Sequence, residues 1–115
     1  MATQSRMKTI DTIKVDNKLT AKVLSDKYLG GRPLGSPINS KNVGEEFDVT
    51  LTGEIQIREF EGQKSAYFLT KEGFSVRVNA SFDPSVHKAN ATMRAICREF
   101  PRENGQTVKF CAFAA

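Results

Sequence analysis

Basic and aromatic side chains recur along one stretch of this chain at spacings that suit an anionic partner with flat faces. Arg58 and Phe60 lie two apart, Lys64 and Tyr67 follow, and Lys71 and Arg77 complete the series. An aromatic ring offers a surface on which a base can stack, while guanidinium and ammonium groups neutralise phosphates. These residues predict sequence-tolerant binding of single-stranded nucleic acid. Other chemistries lack their parts. Ser85 and His87 are close, but no third group is placed to orient the imidazole for nucleophilic catalysis. The carboxylate pairs Glu45-Glu46 and Glu59/Glu61 read as solvated charges. Cys97 and Cys111 stand fourteen apart with no Cys-x-x-Cys, which predicts buried free thiols instead of a disulfide framework or a zinc site. With His87 the single histidine, a metal site built on several imidazoles is not expected. The expectation is a non-enzymatic protein without cofactor.

The elements that must position these residues are strands. From Phe47 to Arg58 the odd positions are Phe, Val, Leu, Gly, Ile and Ile, and the even positions are polar. This is the period-two pattern of a strand with one buried face. Phe60 breaks it by sharing the polar face with Arg58. Gln63 to Thr70 predicts a second strand and Phe74 to Phe82 a third, joined by turns at Glu61-Gly62 and Lys71-Glu72-Gly73. Pairing across the first turn is expected to cluster Arg58, Phe60 and Lys64. On the second strand either Tyr67 or Phe68 must point away from the core. In the third, Phe74, Val76, Val78, Ala80 and Phe82 are expected on the core face. Gly53, inside the first run, predicts a bulge or sharp bend.

Asp83-Pro84 suits a helix start, and Val86, Ala89, Met93, Ile96 and Phe100 then form one apolar stripe at helical spacing. A helix over 83–100 is therefore expected, followed by a strand from Gln106 to Phe113. Upstream, residues 1–8 read as a disordered lead and Thr9–Val15 as a strand. Residues 18–29 suit either a strand or a short helix, with a slight preference for a hairpin followed by a helical turn. Residues 30–42 read as a flexible loop inside a single domain spanning 9–115.

The composition, 39% hydrophobic and 26% charged, is that of a globular protein. No apolar run approaches the roughly 20 residues of a membrane span, and the first residues lack a secretory pattern, so no membrane partner and a cytoplasmic location are expected. The net charge of +4 is uneven. Residues 1–44 carry eight Lys/Arg against three Asp, and the remainder nine basic against ten acidic residues. A basic arm beside a near-neutral body suits a polyanion.

Val43-Gly44-Glu45-Glu46-Phe47-Asp48-Val49-Thr50-Leu51-Thr52-Gly53-Glu54, followed by Gly62-Gln63-Lys64-Ser65-Ala66-Tyr67-Phe68-Leu69, resembles the openings of small single-stranded-DNA-binding proteins of the oligonucleotide/oligosaccharide-binding (OB) fold. The resemblance spans residues 43–113 and suits the compact phage or mobile-element type, since no acidic tail is present. It implies a mainly β, β-rich α+β fold: an OB-like barrel of five to six antiparallel strands with one flanking helix. It also implies ligand contact through the second and third strands and the loops between strands, at Phe60, Lys64, Tyr67, Phe74 and Arg77. The competing expectation is a structural or protein-interaction module, such as a small virion or assembly component. Self-association into a homo-oligomer is open under either reading.

Overall fold

The computed structural model describes residues 8–27, 40–60, 62–101 and 105–114. The fold is mainly β, with one short helix. The elements are β1 (Lys8–Lys14), α1 (Ala21–Lys27), β2 (Glu46–Phe60), β3 (Gln63–Thr70), β4 (Ser75–Arg77), β5 (Thr92–Pro101) and β6 (Thr107–Phe113). Six strands form one sheet in the order β1-β2-β3-β4-β6-β5, and β5 pairs again with β2. The pairings from β2 through β3, β4, β6 and β5 thus return to β2. All are antiparallel except β4–β6, which is parallel and rests on the single pair Val76↔Cys111.

β2 is the hub. Val49, Leu51, Ile55 and Ile57 alternate into the core with no exposed surface. Gly53 interrupts them with φ +88°, and the β2–β3 register shifts between Leu51 and Ile55. That kink divides one edge of the strand: Glu46–Thr50 pair with β5, and Glu54–Glu59 pair with β1. The opposite edge carries β3. The Gly53 carbonyl accepts the Val15 amide at 2.7 Å, and Ala89 lies where a side chain would stand.

The expected helix over 83–100 does not form. Asp83 does start a turn: its Oδ1 accepts the Ser85 amide and hydroxyl, and its carbonyl accepts the amides of Val86 and His87. Propagation stops there, and Asn90 adopts φ +70° before β5 begins at Thr92. Within β5 the buried residues are Ala95 and Cys97, at spacing two, while Val86 of the supposed stripe is exposed. The large residues Ile96 and Phe100 mimic a helical stripe, whereas small ones mark the true inner face. β5 lies between the backbones of β2 and β6, whose open edges it pairs.

Two other expectations change. Residues 18–24 do not form a hairpin; the Thr20 hydroxyl accepts the Val23 amide at the start of α1, and Leu19 and Leu24 enter the core. The expected third strand shortens to Ser75–Arg77, with Val78 still donating to Ala66, and Ala80 is exposed. Lys8, expected in the lead, opens β1. The rest of that lead, and most of the expected 30–42 loop, lie outside the described residues. Among the described residues no helix is long and apolar enough to cross a membrane.

The core ends in an aromatic box. Phe68 packs against Phe82, Phe113 and His87, whose imidazole stacks on Phe113 at 5.0 Å and on Phe82 at 5.8 Å. His87 is 8% exposed and its Nδ1 accepts the Asp83 amide at 3.0 Å, which requires that nitrogen to be unprotonated. Burial pushes its pKa below the ordinary imidazole value.

Gly53→Ala is expected to cost several kcal/mol, about 1–2 from the left-handed backbone and about 1–3 from overpacking, read as a lower urea midpoint; an unchanged midpoint would mean β2 does not kink there. His87 binds protons more weakly folded than unfolded, so its contribution to stability is complete above about pH 6.5 and shrinks as pH falls towards the folded pKa. The urea midpoint should fall between about pH 7.5 and about pH 5.5, and His87→Phe should flatten that fall.

Candidate functional site

Directly opposed residues of antiparallel strands share a face. Ile55, Phe68 and Val76 form the inner row, as do Ile57 and Ala66. Gln56, Tyr67 and Arg77 then form an outer row, flanked by Arg58 beside Ser65 and by Leu69 beside Ser75. The outer face of β2–β3–β4 therefore brings together three of the expected site residues, Arg58, Tyr67 and Arg77. Phe60, paired with Gln63 at the end of β2, continues that face and is half-buried.

Arg58 reaches across β3. Its Nε and Nη2 donate to Gln56 Oε1 at 3.2 and 2.9 Å, and Nη2 also donates to Ser75 Oγ on β4 at 2.7 Å. Between these anchors the guanidinium lies over the Tyr67 ring, 5.1 Å from its centroid. Burial lowers the Arg58 pKa, but an arginine so shifted remains cationic at neutral pH. Thr9 on β1 also donates to Gln56 Oε1, at 3.4 Å, tying the edge strand to the cluster. The result is a positive planar group held in one orientation on top of an aromatic ring, a favourable cation–π arrangement.

Tyr67, not Phe68, faces away from the core, yet its exposure is 0%. The expected open aromatic is therefore closed over. The expected cluster of Arg58, Phe60 and Lys64 also divides: Lys64 opposes Glu59, which ion-pairs with Lys8 at 3.9 Å, and both belong to the other face. The parity of the second strand separates Lys64 from Tyr67, whereas proximity across the turn alone would join Lys64 to Arg58.

Lys71 and Phe74 lie at the far end of the β3–β4 turn. Lys71 Nζ donates to Asn90 Oδ1 at 2.7 Å, and its amide donates to the Thr50 carbonyl. Phe74 packs on Phe47 at 4.9 Å at the rim of the core, with Lys41 Nζ 4.8 Å from the Phe47 ring and 5.8 Å from its own. Lys41 is engaged there by Glu45 at 3.5 Å. A hydrogen bond from the Asn42 amide, ahead of Lys41 itself, holds the Glu45 pKa below the ordinary carboxylate value.

Gln56 and Ser75, which orient Arg58, escaped the sequence reading. Gln56 was legible as the neighbour two before Arg58 on the same face, but the bond to Ser75 spans two strand pairings and leaves no local signal. Among the described residues no group of three or more His, Cys, Asp or Glu could hold a metal ion. Comparison with known protein families, curated proteins and solved structures finds no match.

Because Tyr67 is enclosed, Tyr67→Ala should destabilise the fold by about 3–5 kcal/mol, as aromatic truncations in cores do, measured by urea denaturation. A loss below about 1 kcal/mol would mark the ring as a surface group.

Proposed function

We propose that this chain binds single-stranded nucleic acid, DNA ahead of RNA, on the outer face of β2–β3–β4, and that β2–β6 form a small OB-like barrel. The ring of pairings through β2, β3, β4, β6 and β5 supports the fold reading. In such barrels the second and third strands carry the ligand, which here correspond to β3 and β4. The observation that carries the functional reading is the Arg58 guanidinium, fixed by Gln56 and Ser75 over Tyr67. Bases stack on guanidinium planes as well as on aromatic rings. Arg58 would act as the stacking platform, stiffened from below by Tyr67, with Phe60 offering a second apolar surface along the same face. Arg77 and the basic excess of residues 1–44 would neutralise phosphates.

The closure of Tyr67 favours the competing reading, a protein-interaction module, in one respect: its ring does not itself offer an open stacking surface. Fluorescence anisotropy with labelled oligo-dT at two salt concentrations separates the two. Arg58→Lys keeps the charge and loses the plane, so affinity should fall by about 1–3 kcal/mol, the worth of one stacked base, with the salt slope unchanged. Phe60→Ala should lose a similar amount. Arg77→Ala should reduce the log–log salt slope by about 0.7 for each phosphate that the guanidinium neutralises. Wild-type protein that ignores oligo-dT at low salt would leave the interaction-module reading standing.

A further inference from the structure

Cys97 and Cys111 face each other directly across β5 and β6, both fully buried and both free thiols. The hydrogen bonds around Cys97 settle which kind of cross-strand pair this is. Its amide donates to the Glu45 carbonyl at 3.0 Å, and its carbonyl accepts the Gly44 amide at 2.7 Å. Gly44 has φ +92° in a turn closed by the Glu45 amide on the Asn42 carbonyl, so two residues beside β2 oppose the one cysteine, a bulge that needs glycine. Both backbone polar groups of Cys97 are thus turned towards β2.

Alternation along β5 agrees, because the Arg94 carbonyl points the other way and accepts the Ala114 amide beyond β6. Cys97↔Cys111 is therefore a non-hydrogen-bonded pair, the closer of the two antiparallel types, with Cα atoms about 4.5 Å apart. Disulfides span Cα separations of about 4.4–6.8 Å. Opposed residues also direct their side chains to the same face, here the core.

We propose that Cys97 and Cys111 form a dithiol modification site that a low-molecular-weight disulfide converts to an intramolecular cross-strand disulfide. The Cys97 thiolate attacks one sulfur of the small disulfide and expels its first half as a thiol. The Cys111 thiolate then attacks Cys97 Sγ in the mixed disulfide and expels the second half. Two protein thiols are oxidised, one small disulfide is reduced to two thiols, and the protons pass from the cysteines to the released thiolates. Burial raises both thiols, Cys111 to about 12, so the exchange takes place while the pair is exposed, before β5 and β6 close over it, and the two cysteines can exchange roles in it. The bond would sit beside the single β4–β6 pair, since Cys111 is also the partner of Val76. This inference does not depend on nucleic-acid binding.

The test is to unfold the reduced protein and refold it in a glutathione disulfide/glutathione couple, so that burial does not block access. The expected product is a monomer two hydrogen atoms lighter, with no maleimide-reactive thiol after denaturation under non-reducing conditions. Its melting temperature should exceed that of the reduced form by roughly 10 °C. Cys97→Ala and Cys111→Ala should each lose the mass change and the rise in melting temperature. Two free thiols in refolded wild type, disulfide-linked dimers, or an oxidised monomer that melts below the reduced one would each overturn the proposal. The wild-type measurements decide it even if a variant fails to fold.

Discussion

A strand can hydrogen-bond along only two edges, yet β2 must serve three neighbours. The fold meets this constraint by making β2 fifteen residues long and bending it at Gly53. Before the bend one edge takes β5, after it the same edge takes β1, and β3 occupies the other side. The bend also brings Ala89 against the Gly53 backbone, so the turns between β4 and β5 are seated by the same glycine that divides the strand. The inner row of Val49, Leu51, Ile55 and Ile57 stays continuous through the change of partner.

The same strand presents the polar cluster. Gln56 and Arg58 occupy the even positions after the bend, where β3 and β4 lie alongside, and this gives Arg58 both an anchor on β4 and a ring beneath it. The register of β2, β3 and β4 beyond the bend is what sets the residues that hold Arg58 on one surface. The guanidinium has given up its rotamer freedom on folding, so under the proposed function a ligand would not have to fix it again.

Much of the β2–β3–β4 meander was legible because period-two alternation is a strong signal when large apolar residues fill one face. The Lys71-Glu72-Gly73 turn and the outward position of Arg58 and Arg77 went with it, and a glycine inside the run marked the bend at Gly53. β5 was not legible. Its inner residues Ala95 and Cys97 are small, while the outer Ile96 and Phe100 fall by coincidence on a helical stripe behind a genuine Asp83 turn. Local signals favoured a helix, and the unpaired edges of β2 and β6 overruled them. Enclosure of Tyr67 was hidden for a related reason: parity gives the direction of a side chain, but not what another strand lays across it.

β1 lies at the end of the sheet order, with β2 as its strand partner among the described residues. An outer edge of this kind is a template for β-addition by another chain, and apolar edges invite fibrous aggregation. Here Lys8, Asp11 and Lys14 punctuate the strand, and the register shift between Thr9 and Asp11 spoils its regular spacing. A second copy laid antiparallel about Asp11 would set carboxylate against carboxylate and Lys8 against Lys14. The edge strand thus carries its own protection against templated growth, which matters most at the high local concentrations that follow synthesis on clustered ribosomes.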